Sequence, residues 1–260
     1  MNEDKFLTVA KQVALAAGKI IAGYFGQKHT FNFKNKDKSD FATQADLEAQ
    51  GKIIEILTKN FPEHNLIAEE NVRINNNSEY AWVIDPLDGT FSFSIGMPNF
   101  AVSIGLLKNN EPVLGVIYYV IADELYYAQK GTGAFLNDKK IQVSKKDNLV
   151  SASMVVDLGH SSSRGPKIEL YILPLSAKLG QMYSIGTTAG ALGLVAKGVQ
   201  DGNIAQAWIW DFVAGAIIVR EAGGRVTDFE GKEPDWSKDR LNVLSTNGLI
   251  HDKILEALKK

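Results

Sequence analysis

An apolar run that ends abruptly in two acids constrains this chain more than any other feature. Residues 82–90 read WVIDPLDGT. Trp82-Val83-Ile84 has the character of a buried strand, so Asp85 falls where that strand leaves its sheet. Pro86 fixes φ and removes one N–H, and Gly89 permits a sharp turn with its backbone close to whatever lies opposite. The expected product is a stiff, tight bend. In such a bend the carboxylates of Asp85 and Asp88 converge, and the Leu87 carbonyl can point to the same place. An all-oxygen set of this kind suits a hard cation such as Mg²⁺. The same letters also make a good structural turn. Their spacing does not fit an EF-hand, which needs acids at alternate positions before its glycine.

The chain has 260 residues, 45% of them hydrophobic, which is ample for a sizeable core in one domain, 1–260, or in two intimate halves, 1–148 and 149–260. It has no cysteine, so disulfides, thiolate zinc sites and a cysteine nucleophile are excluded. A formal net charge of -2 and the lack of any Lys/Arg block leave no electrostatic footprint for nucleic acid. The start, MNEDKFLTVAKQ, does not read as a secretory signal, and no stretch of about 18 apolar residues suggests a membrane span. A soluble, cytoplasmic protein is expected.

Apolar residues at steps of three and four from Phe6 to Tyr24 predict a first helix. FKNKDKSD then reads as a loop. A second helix is expected over Thr43–Asn60, with Leu47, Ile54 and Leu57 on one face, stopping before Phe61-Pro62. Residues 81–85, 100–107, 113–120 and 124–129 read as strands of an antiparallel meander that GTGAFLNDKKI continues. From about 151 strands and helices alternate. SASMVVDLG, MYSIG, NIAQAWIW, RVTDF and LNVLSTNG read as strands. Part of 165–179, then Ala189–Lys197, Asp211–Ala222 and Ile250–Leu258, read as helices. The fold class is thus an α+β first part with an α/β second part.

Further acids lie at the ends of apolar runs. Glu69 and Glu70 follow Leu66-Ile67-Ala68, and Asp211 follows Trp208-Ile209-Trp210. Glu69 or Glu70 can face inward, or can sit in a solvated loop. Asp211 can be an N-cap or a ligand at a strand-to-helix junction. Asp46 has the spacing of a capping box with Thr43. His29, His64, His160 and His251 are scattered and read as surface or packing residues.

Taken together, WVIDPLDGT, WDFVAGAIIVREAGG at 210–224, the Glu69-Glu70 pair, DFATQAD at 40–46 and Gly186-Thr187-Thr188-Ala189 resemble the inositol monophosphatase family of Mg²⁺-dependent, lithium-sensitive sugar phosphatases. The resemblance implies a layered αβαβα sandwich, an antiparallel meander half followed by a smaller mixed-sheet half. It implies two or three Mg²⁺ held by Glu69, Asp85, Leu87 (through its carbonyl), Asp88 and Asp211. It implies that Thr90 hydrogen-bonds the attacking water, Asp46 orients Thr90, and Glu69 also serves as base. Gly89, Thr90, Gly186, Thr187, Thr188 and Asp211 are implied as substrate contacts, and a homodimer as the assembly.

The implied reaction is hydrolysis of a small phosphate monoester by metal-activated water, with inositol 1-phosphate or a related sugar or polyol phosphate as substrate. Alternatives are fructose 1,6-bisphosphate, histidinol phosphate, 3'-phosphoadenosine 5'-phosphate, or a regulatory binding role on the same fold. Two departures stand out. Ser92 holds the place of the family's usual asparagine. No acid lies between Asp201 and Asp211, where inositol phosphatases carry a glutamate that contacts the inositol, and Ile204 occupies that spacing. Inositol phosphate is therefore in doubt, and Ile204→Glu is expected to favour it. GHSSSRGPK at 159–167 and the lysines at 34, 36 and 38 read as solvated.

Overall fold

Alternation of period two builds two sheets in this chain, and stripes of period 3.6 lay helices between and outside them. A computed structural model describes residues 3–34 and 38–259, so Lys36 lies outside the described residues. Helix α1 (Glu3–Tyr24) is long and apolar enough to cross a bilayer by length and composition. Its stripe of Phe6, Val9, Ala10, Val13, Ala14, Ala17 and Ile21 is buried in the core instead. Strands β1 (Asn32–Phe33) and β2 (Phe41–Ala42) form a short antiparallel pair ahead of α2 (Gln44–Asn60). The buried face of α2 is Ala45, Asp46, Ala49, Gln50, Ile53 and Leu57. Leu47, expected on that face, is 41% exposed. It stands two residues from both Ala45 and Ala49, about 200° round the helix.

The first sheet comprises β3 (Asn65–Ala68), β4 (Val72–Ile74) and β5 (Tyr80–Asp88), then, after the short α3 (Thr90–Ser94), β6 (Ala101–Lys108), β7 (Glu111–Tyr119), β8 (Glu124–Gln129), β9 (Gly133–Leu136) and β10 (Lys139–Ile141). Its order is β10-β9-β8-β7-β6-β5-β3-β4. The expected meander is present from β5 to β10, and β3 runs parallel to β5. Asn109 and Asn110, with φ of 50° and 60°, make the tight β6–β7 hairpin turn that positive-φ asparagines favour.

The second half contains β11 (Ser153–Val156), α4 (Ser161–Lys167), a π-helical turn (Ile168–Ile172), α5 (Leu173–Ser176), β12 (Gln181–Tyr183), α6 (Thr188–Ala196), β13 (Gly202–Trp208), α7 (Ile209–Glu221), β14 (Arg225–Thr227), β15 (Arg240–Thr246) and α8 (His251–Leu258). The sheet order is β12-β11-β13-β15-β14, with β12, β11 and β13 parallel. Two expectations change. Ser161–Lys167 is helix rather than loop, and its Lys167 is buried. The strand NIAQAWIW stops at Trp208, so Ile209 and Trp210 belong to α7.

Three apolar layers glue the stack. One lies between α1/α2 and the large sheet, one holds α6 and α7 between the sheets, and one joins the small sheet to α5 and α8. Side-chain parity sorts the strands: Trp82 and Ile84 join the first layer and Val83 the second; Ala205 joins the second and Ile204 the third. The order helix, sheet, helix, sheet, helix follows. Helix α7 rests directly on paired Gly105 and Gly115, where a Cβ would come within 2.5 Å of Val213 and 2.2 Å of the Ala214 carbonyl. That close approach brings the first turn of α7 to the end of β5.

Candidate active site

The two acids of β5 meet not in a bend but in a bulge. Asp85 pairs with Ser103 and Asp88 with Ala101, so four residues of β5 face three of β6. An inserted residue re-aims the side chains beside it, which brings both carboxylates to one side. Asp85 Oδ1 accepts the Leu87 N–H at 2.9 Å. Gly89 then turns the chain at φ 99°, where any Cβ would stand 2.7 Å from the Asn99 carbonyl. Only glycine fits there.

Asp211 reaches the same point from α7. It is the third residue of that helix, not its N-cap, and its Oδ2 accepts the Trp208 N–H at 2.7 Å. Ser103, opposite Asp85, ties this turn to the large sheet through the Trp210 carbonyl at 3.0 Å. Oxygens of Asp85, Asp88 and Asp211 lie within 4.8 Å of one another. Asp88 Oδ2 accepts the Thr187 hydroxyl and the Ala189 N–H, both at 2.5 Å, and the Thr188 N–H also supports it. Thr187 in turn caps α6 by accepting the Gly190 N–H at 3.0 Å. Thus Thr187 and Thr188, expected to touch substrate, hold Asp88. Gly186 abuts Ser92, whose Oγ a Cβ there would meet at 2.4 Å.

Glu69 follows β3 and stands beside Asp85, its N–H on the Ile84 carbonyl at 3.1 Å. Its Oε1 and the Glu70 carboxylate each take the Lys34 ammonium at 2.7 Å. Lys34 is therefore not the solvated charge its sequence neighbours suggest. Nothing local signals this, because the pairing spans 35 residues. Burial works against its charge, but the two glutamates outweigh it and raise its pKa. Glu69 Oε2 stays buried without a partner among the described residues.

Asp46 resolves its two readings by serving both. Oδ2 accepts the Thr43 N–H at 2.7 Å and the Thr43 hydroxyl at 2.5 Å, which is the cap. Oδ1 lies 2.9 Å from the Thr90 hydroxyl, which is also 3.0 Å from the Leu87 carbonyl. A hydroxyl has one proton and two lone pairs, so Thr90 keeps acceptor capacity. Of the histidines, His64 stacks between Phe61 and Tyr80, and His251 bonds Thr227 and Thr246.

Electrostatics mark the cluster as a buried crowd of like charges. Burial, then the charges of Glu69, Asp88 and Asp211, push the Asp85 carboxyl well up. Burial, then Asp88 and Glu69, do the same to Asp211. Asp88 is pushed to about 6 by burial, with its hydrogen bonds pulling the other way. Asp46 rises to about 6 and Glu70 to about 7, each chiefly through burial. The donor set is all oxygen, and it includes the buried Glu69 Oε2, which has no partner among the described residues. These residues fit a hard divalent ion. Ile204, by contrast, is fully buried in the outermost apolar layer, so a glutamate there would enter the core rather than touch substrate.

Five alternating layers carry this acid centre at their strand ends. The sequence model of the inositol monophosphatase family matches residues 2–260, and the chain belongs to that family, which is generally metal-dependent. A protein of Aquifex aeolicus named fructose-1,6-bisphosphatase/inositol-1-monophosphatase is 38% identical, over 100% of this chain and 97% of its own. An inositol-1-monophosphatase of Mesorhizobium japonicum is 33% identical, over 100% and 98%. The crystal structure of the extragenic suppressor protein suhB from Bartonella henselae superposes with a TM-score of 0.91 at 35% identity, covering 98% of this chain and 99% of that one.

Proposed function

We propose that this protein is a Mg²⁺-dependent phosphatase that hydrolyses a small phosphate monoester, inositol 1-phosphate or a related sugar or polyol phosphate. The observation that carries the reading is the buried convergence of the Asp85, Asp88 and Asp211 carboxylates beside the Asp46–Thr90 pair. Asp85, Asp88, Asp211, Glu69 and the Leu87 carbonyl would hold two or three ions. When bound, Mg²⁺ lowers the pKa of water and offsets negative charge on the phosphoryl group and leaving oxygen. Asp46 accepts a hydrogen bond from the Thr90 hydroxyl, which leaves Thr90 Oγ to accept one from a water and so orient the water's lone pair toward phosphorus. The N–H groups of Gly89 and Thr90 would hold phosphate oxygens. Glu69, beside Asp85, would serve as base as well as ligand.

Phosphate release from inositol 1-phosphate, fructose 1,6-bisphosphate, histidinol phosphate and 3'-phosphoadenosine 5'-phosphate tests the reading, with Mg²⁺, with EDTA, and with Mg²⁺ plus Li⁺. Release with Mg²⁺ that EDTA abolishes and Li⁺ reduces is expected. Equal release in EDTA would contradict it.

A further inference from the structure

The buried face of α2 carries the polar side chains of Asp46 and Gln50, one helical turn apart. Burying an amide costs free energy unless both its ends are bonded. Gln50 is 4% exposed, and both its ends are bonded to one residue. Its Oε1 accepts the Glu70 N–H at 2.9 Å, and its Nε2 donates to the Glu70 carbonyl at 3.2 Å.

Glu70 needs this partner because of where it lies. Ala68 pairs with Val72 in the β3–β4 ladder, and Glu69, Glu70 and Asn71 make the turn between them. Asn71 closes that turn at φ 57°, with its N–H on the Glu69 carbonyl at 2.8 Å. The Glu70 N–H and C=O fall outside the ladder, at the tip. Glu69 is gripped from one side by the Ile84 carbonyl of β5, and the residue after it from the other side by α2. The Glu70 carboxylate takes Lys34 at 2.7 Å, so the same grip settles the ammonium beside Glu69 Oε1. Asp46, one turn back on α2, bonds Thr90 at 2.9 Å. One helix thus fixes the acidic turn relative to the Asp46–Thr90 pair.

We infer that Gln50 is a positioning residue of this site: it holds the Glu69–Asn71 turn so that Glu69 meets a metal ion already in place. The inference rests on the phosphatase reading above, which gives Glu69 to the metal, and adds to it the residue that sets where Glu69 stands. A ligand fixed beforehand binds more tightly, because less ordering entropy remains to be lost. Partners one step behind a metal ligand typically govern metal affinity by about 10- to 100-fold.

Gln50→Met keeps the side chain's length and helix propensity and removes both hydrogen bonds. Mg²⁺ titrated calorimetrically into the metal-stripped full chain should bind wild type about tenfold or more tightly than Gln50→Met. Ile53→Val, on the same buried face of α2, loosens packing only and should leave Mg²⁺ affinity at the wild-type value. An unchanged affinity in Gln50→Met, or an equal loss in both variants, would overturn the inference. If Gln50→Met does not fold, amide exchange in wild type decides. The Glu70 N–H should exchange about tenfold or more slowly than an unbonded amide, in EDTA and in Mg²⁺ alike, and exchange at the unbonded rate in either would overturn the inference. Wild type that binds no Mg²⁺ at all would sink the metal-dependent phosphatase reading, and this inference with it.

Discussion

Two aspartates bracket β13, and their surroundings are opposite. Asp201, before the strand, is almost wholly buried. It is satisfied by the Ser144 hydroxyl at 2.5 Å, the Ser153 N–H at 2.7 Å and the Lys146 ammonium at 3.2 Å. Asp211, just past the strand, is buried too, yet its neighbours are Asp85, Asp88 and Glu69, and its one donor among the described residues is the Trp208 N–H. Burial alone therefore does not distinguish function from architecture. What distinguishes them is whether the chain supplies the counter-charge. A buried carboxylate without a partner costs several kcal/mol in principle, so a cluster of three that the fold leaves unbalanced could be balanced by a metal ion from outside.

Exchanging the charges should break the comparison in two different ways. Asp211→Asn should lower turnover by about 10³-fold or more while the metal-free fold melts no lower than wild type, since a repelled buried charge is gone. Steady-state kinetics and thermal melts check both halves, and turnover within threefold of wild type would show that Asp211 is not part of the chemistry. Asp201→Ala should do the opposite. It strands the Ser153 N–H and the Ser144 hydroxyl and should cost about 3 kcal/mol of stability, with Mg²⁺-dependent turnover per folded molecule near normal. Urea melts read the first effect; a loss of turnover without a loss of stability would reverse the roles assigned to the two residues.

The acid centre was legible only in part. Each acid's place after an apolar run left a turn, loop or cap reading open. It was the resemblance to the inositol monophosphatase family that put Asp211 with Asp85 and Asp88, whose carboxylates do converge in the fold. Geometry set by register was not legible. The bulge at Asp85–Asp88 depends on which β6 residue lies opposite, and the orientation of Ile204 away from the cleft depends on strand parity within a layered stack. Long-range pairing was equally hidden. Lys34 and Lys167 sit in polar stretches that read as solvated, and only the fold brings them to Glu69 and Asp157. The antiparallel meander was plain from turn chemistry, whereas Leu47 was misplaced because small alanines, not the largest apolar residues, mark the packed face of α2.

The most direct measurement is the melting temperature across pH 5 to 8, in EDTA and in Mg²⁺. Asp46 and Asp88 rise to about 6 and Glu70 to about 7 in the folded chain, above their unfolded values. The native state therefore binds more protons than the unfolded state between about pH 4 and 7. Stability linked to these groups is present at low pH and lost as pH rises through 6 to 7. In EDTA the melting temperature should fall over that window, and Mg²⁺ should recover it most at the alkaline end, where the carboxylates are free of protons. Coincident EDTA and Mg²⁺ curves across the whole range would contradict a divalent-ion site at Asp85, Asp88 and Asp211.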